Sequence, residues 1–138
     1  MVVETRGRDD VSTISIRMNA PDAFVAFVTH VLVPAKARRL AALASTKKGQ
    51  KRILNGFSQH FEPAVRPATI RPRDYSRLLG EPCFVFHCAL GFGVEFPSVR
   101  DAYDKLSIDD SWLILLQDAS AGIYRPEARW DDEKLIAP

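Results

Sequence analysis

The sequence predicts an α+β domain: an antiparallel sheet of about five strands, formed by an N-terminal strand and two hairpins, packed against a block of three or four helices, with one more helix between the hairpins. Three observations lead there. CFVFHCAL (83–90) and SWLILLQ (111–117) are apolar on both faces, too short for ordinary helices, and bounded by turn residues. Each is followed by a turn-forming stretch and a second strand-like segment, which makes two hairpins and therefore antiparallel pairing. The helical periodicity is gathered into residues 20–80 instead of alternating with strands.

A chain of 138 residues with 46% hydrophobic and 26% charged residues fits one folded domain that needs no metal or disulfide staples. Its parts are a helical block at about 20–80, a hairpin–helix–hairpin part at about 82–126 and a polar tail at 127–138. The start lacks the pattern of a secretory signal and no apolar run is long enough for a bilayer, so no membrane association and a cytoplasmic location are expected.

In chain order, STISIRM (12–18) alternates Ile14, Ile16 and Met18 with polar residues, the two-residue period of a half-buried strand. Phe24, Phe27, Val28, Val31 and Leu32 then follow helical spacing, with Asn19 placed to cap and Pro21 and Asp22 suited to the first turn. Pro34 opens a second helix carrying Leu40 and Leu43. One straight helix over 35–61 would put Lys36, Arg39, Lys47 and Gln50 on the apolar face, so a break near Ser45 is expected. The helix that follows places Ile53, Leu54, Phe57 and Phe61 on one stripe and Lys48, Lys51 and Arg52 on the other, with Lys47 at the margin. RPATIRPRD (66–74) reads as extended loop, and Asp74 as the cap of a short helix ending at Gly80. GFG (91–93) is expected to turn the first hairpin, and Ser98 with Asp101 to cap the helix carrying Val99, Ala102, Tyr103 and Leu106.

The formal net charge of +2 hides an uneven distribution. Residues 1–80 hold 14 Lys and Arg against 6 Asp and Glu, whereas residues 81–138 hold 5 against 11. No carboxylate occurs between Asp22 and Glu62, a stretch that contains Lys36, Arg38, Arg39, Lys47, Lys48, Lys51 and Arg52. Such polarity fits a charged partner or two parts of one domain that neutralise each other.

Motifs for catalysis are missing. GFG lacks the third glycine of a dinucleotide loop, KKGQK is not a phosphate-binding P-loop, and there is no G-x-S-x-G or H-E-x-x-H. Cys83 and His87 share a strand face, but four residues at about 3.3 Å each hold them roughly 13 Å apart, too far for one ion with bonds of about 2.0–2.3 Å. Cys88 points the other way, and both cysteines read as reduced and structural. No catalytic residue, metal ligand or cofactor is assigned.

Three functional readings follow. The leading one is a non-catalytic module that binds a protein partner or a second copy of itself, with Lys47, Lys48, Lys51 and Arg52 as the binding face and Trp130 and Leu135 as a possible interface in the tail. The alternative is nucleic-acid or phosphate binding by the same four cations, extended by Arg66, Arg71, Arg73 and Arg77 if these lie on one side. The third is an enzyme whose residues meet only in the fold. Against all three stands a merely solvated helix face.

Overall fold

The computed structural model describes residues 18–106, 111–126 and 133–138. Five α-helices precede or interrupt six strands: α1 (Ala20–Val31), α2 (Pro34–Ala44), α3 (Lys47–Asn55), α4 (Phe57–Phe61), β1 (Ile70–Arg71), β2 (Cys83–His87), β3 (Gly91–Phe96), α5 (Val99–Tyr103), β4 (Trp112–Leu116), β5 (Gly122–Arg125) and β6 (Lys134–Ile136). The strands form one antiparallel sheet in the order β1-β6-β5-β4-β2-β3. This is the α+β architecture expected, with a helical block of α1–α4 and α5 between the hairpins.

The two-faced apolar runs sit where their pattern demands. β2 and β4 are neighbours in the sheet interior, and every residue of both is buried. Phe84, Phe86, Leu113 and Leu115 face the core beneath the helices, while Cys83, Val85, Ile114 and Leu116 face a second core. Tyr75, Leu78, Leu79 and Tyr103, from α5 and the loop before β2, pack against that second side. The result is three layers, with α1–α4 on one face of the sheet and α5 with the loop around 75–79 on the other.

The helical side is an aromatic core. Phe24 meets Phe86 at 5.2 Å and Phe92 at 5.1 Å between ring centroids, and Tyr124 meets Phe61 at 4.9 Å and Phe57 at 5.7 Å. Each such pair contributes about 0.5–1.5 kcal/mol beyond the area it buries. Asn19 caps α1 by accepting the Asp22 N–H at 2.9 Å, and Ser98 caps α5 by accepting the Asp101 N–H at 3.1 Å, both at the expected residues.

The structure departs from the sequence reading at five places. The helix after Ser45 is broken at Gly56 into α3 and α4, though Ile53, Phe57 and Phe61 are all buried as expected. Asp74 caps no helix. Its carboxylate accepts both the N–H and the hydroxyl of Ser76, two residues on, and this local turn replaces the three-residue reach of a cap. The first strand of the hairpin ends at His87, and the turn falls on 88–90, where His87 Nδ1 accepts the N–H groups of Ala89 and Leu90.

GFG therefore lies within β3. Gly93 is the extra residue where the register slips between the pairs Val85–Val94 and Phe86–Phe92, and it has φ +86°. A Cβ there would stand 2.2 Å from Ala20 Cβ, so glycine permits both the bulge and the close approach of α1. The fifth departure is that the polar tail and the proline-rich loop each supply a strand: β6 pairs with both β5 and β1. The expected N-terminal strand at 12–18 lies outside the described residues, apart from Met18.

Candidate interaction surface

The basic stretch is held by a tight corner between α2 and α3. Ser45 Oγ donates to Ala42 O (2.7 Å), Gln50 Nε2 reaches back to Ala44 O (2.9 Å), and Thr46 Oγ1 caps α3 by accepting the Gly49 N–H (3.0 Å). A Cβ on Gly49 would lie 1.9 Å from the Leu43 carbonyl oxygen, so this residue sets how closely the helices meet. With Gly49 and Ile53 buried, Lys47, Lys48, Lys51 and Arg52 are turned outward and exposed.

α2 adds Lys36, Arg38 and Arg39, also exposed. Among the described residues none of these seven cations is held in a salt bridge. Lys47 and Lys48 stand in the first turn of α3, ahead of the first intrahelical bond, which runs from Gln50 N to Thr46 O at 2.9 Å. Their charges therefore oppose the helix dipole.

His60 on α4 lies where these helices converge. Its half-buried ring packs against Gly56, where an added Cβ would stand 3.0 Å from both Cδ2 and Nε2 of the imidazole. Partial burial, followed by the positive charges of Arg39, Arg52 and Lys36, lowers its pKa from the ordinary histidine value. The neighbouring cations thus add to burial in disfavouring one more positive charge. Sequence reading had no access to this grouping, because its members come from three helices and match no periodic pattern.

Of the four arginines proposed as an extension, Arg66, Arg71 and Arg77 are each tied to another part of the fold. Arg66 is tied to the end of α1, where its guanidinium donates to the His30 carbonyl. Arg71 is on the edge strand β1, and Arg77 lies in the loop that packs on the opposite face of the sheet from α3. Arg71 and Arg77 share the lining of a cavity instead.

In the tail, Leu135 pairs with Ile123 of β5 and Arg71 of β1 and is 9% exposed, a member of the second core. Its side chain is thus spent on the domain's own sheet. Trp130 lies outside the described residues.

Near the tail a buried polar cluster has formed that the sequence did not announce. Arg125 Nη1 faces Glu133 Oε2 at 3.4 Å, Tyr103 donates its hydroxyl to Glu133 Oε1 at 2.5 Å, and the Arg125 guanidinium stands 6.0 Å from the centre of the Trp112 ring. Burial, and then the Glu133 carboxylate, raise the pKa of the Tyr103 hydroxyl.

Cys83 is buried and its thiol pushed up to about 12, chiefly by burial and then by Asp101, which keeps it protonated and inert. Cys88 is exposed, and no disulfide joins the two. No group of three or more metal-ligating side chains converges among the described residues, and no helix among them is long and apolar enough to cross a membrane.

Two cavities lined by described residues open on the surface. One, of ≈ 480 Å³, is bounded by Arg71, Arg77, Leu135 and their neighbours; the other, of ≈ 390 Å³, lies by Met18, Phe84 and Gly93. The polar groups of the second are closed on themselves, since Gln117 Nε2 donates to Glu95 Oε2 at 2.9 Å. Compared with protein-family models, curated proteins and solved structures, the chain matches none.

Proposed function

We propose that the protein is a non-catalytic cytoplasmic interaction module that docks an acidic protein surface on the basic face of α2, α3 and α4. The observation that carries this reading is the cluster around His60: exposed cations of α2 and α3, unpaired among the described residues, that add to burial in disfavouring a positive charge on a histidine of α4. Like charges gathered in this way repel one another, and an acidic partner relieves the repulsion. Arg39, Arg52 and Lys36 form the part of that face beside His60, and Lys47, Lys48 and Lys51 continue it along α3.

The test is a fluorescence-anisotropy titration with a labelled polyglutamate peptide, repeated after replacing Lys47, Lys48, Lys51 and Arg52 by alanine. Binding is expected to weaken with salt and to fall at least tenfold in the variant. Undiminished binding in the variant, or none by the parent protein at low salt, removes the basic face from consideration. Light scattering on the same samples tells whether the acidic surface belongs to a second copy.

One observation favours phosphate of a nucleic acid as a second reading: Lys47 and Lys48 stand in the first turn of α3, ahead of the capped Gly49 N–H and of the first intrahelical bond, the place where helices bind phosphate. Base stacking has no support, because Phe57 and Phe61 are 3% and 0% exposed. Duplex DNA and RNA bound more tightly than the peptide, with a salt slope that shrinks in the four-alanine variant, would favour this reading over the first.

A further inference from the structure

The ≈ 480 Å³ cavity lies on the opposite face of the sheet from α3 and is built from parts distant in sequence. Its size falls within the range of about 300–1,000 Å³ common to small-molecule sites. Leu78, Ala121, Leu135 and Ala137 supply an apolar floor, continuous with the second core. The rim carries Arg71, Arg77, Asp74 and Ser120.

The rim groups are not equally available. Asp74 is occupied by Ser76, whose hydroxyl and N–H bond its carboxylate at 2.8 and 3.1 Å. Ser120 is turned to Asp118, donating through both its hydroxyl (2.6 Å) and its N–H (3.0 Å). Arg71 gives one nitrogen, Nη2, to a main-chain oxygen of Pro138 at 2.7 Å and keeps the remaining donors of its fork. Arg77 is exposed, and no hydrogen bond engages it among the described residues. The recognition chemistry left on offer is guanidinium above an apolar floor.

We infer that this cavity binds a small amphipathic carboxylate, whose apolar body lies on Leu78, Ala121, Leu135 and Ala137 and whose carboxylate is taken by Arg77 with Arg71. A planar carboxylate matches the guanidinium fork, and charge assistance makes such bonds roughly twice as strong as neutral ones. A monoanion fits better than a dianionic phosphate. The Asp74 carboxylate stands on the same rim and disfavours a second negative charge on the ligand beside it.

The experiment is isothermal titration calorimetry of the intact chain with octanoate, 1-octanol and octyl phosphate at neutral pH, repeated on Arg77→Ala and Ala137→Phe. Octanoate is expected to bind saturably, 1-octanol at least tenfold more weakly, and Arg77→Ala to lose about tenfold in octanoate affinity. Ala137→Phe fills the cavity and is expected to abolish binding while a thermal melt shows the fold intact. Should that variant fail to fold, Arg77→Ala, at an exposed position, still decides. No saturable octanoate heat overturns the proposal, as does octanol bound equally well or octanoate affinity unchanged in Arg77→Ala. Octyl phosphate bound more tightly than octanoate overturns the assignment of a carboxylate.

Discussion

Tyr103 on α5 donates its hydroxyl to Glu133, just before β6, at 2.5 Å, and so joins two residues thirty positions apart. The same carboxylate faces Arg125 at 3.4 Å, and Arg125 and Glu133 are each 7% exposed. These contacts tie α5 to the sheet through Arg125 of β5 and the residue that precedes β6.

Breaking the Arg125–Glu133 pair by removing one member leaves a buried charge without its partner. Glu133→Ala is expected to destabilise the protein by about 3–5 kcal/mol in urea unfolding. The double change Arg125→Met with Glu133→Met removes both charges and is expected to recover most of the loss. A Glu133→Ala variant as stable as the parent would show that the pair contributes nothing.

The α2–α3 corner makes a second prediction, at Gly49. Alanine there directs a methyl group into the Leu43 carbonyl, and overpacking of this kind costs about 1–3 kcal/mol, enough to outweigh the gain of about 1 kcal/mol in helix propensity. Gly80, around which a Cβ meets nothing within 4 Å, is the control, and Gly80→Ala is expected to be near neutral. Equal melting temperatures for the two variants would contradict the packing described.

Lys47 and Lys48 oppose the dipole of α3, so replacing either by glutamate is expected to raise stability by about 0.3–1 kcal/mol, read as a higher melting temperature at low salt. If the basic face serves binding, the same variants lose affinity for acidic polymers. Stability and binding moving in opposite directions separates a functional charge from a solvated one.

His60 reports the field of that face. Its pKa is lowered in the folded protein, so between that value and the ordinary 6.5 the unfolded chain carries the extra proton. Its contribution is therefore present above pH 6.5 and is lost as the pH falls through the folded pKa. NMR titration of the His60 ring is expected to show a pKa below 6.5 that rises when Arg39 and Arg52 are replaced by glutamine, or when polyglutamate binds. A value unmoved by the double replacement would place those guanidiniums too far away to matter.

Much of this architecture is legible in the chain. The alternation of Phe84, Val85 and Phe86, and of Leu113, Ile114 and Leu115, requires two covered faces, because a strand sends successive side chains to opposite sides. The caps at Asn19 and Ser98 depend only on a side chain reaching three residues along. The outward turn of Lys48, Lys51 and Arg52 follows from the inward turn of Ile53.

What the chain could not declare rests on contacts between distant segments. β6 is three residues long, too short for periodicity to mark, and is a strand because β1 and β5 flank it. The turn of Asp74 onto Ser76 and the break at Gly56 are choices between local alternatives of similar energy, settled by what packs against them. The grouping of His60 with Arg39 and Arg52, the Tyr103–Glu133–Arg125 cluster and the cavity shared by Arg71 and Arg77 join residues of different elements. Periodicity and capping are properties of neighbours along the chain and fix single elements; the meeting of side chains across helices and strands is a property of their packing, and only the tertiary structure decides it.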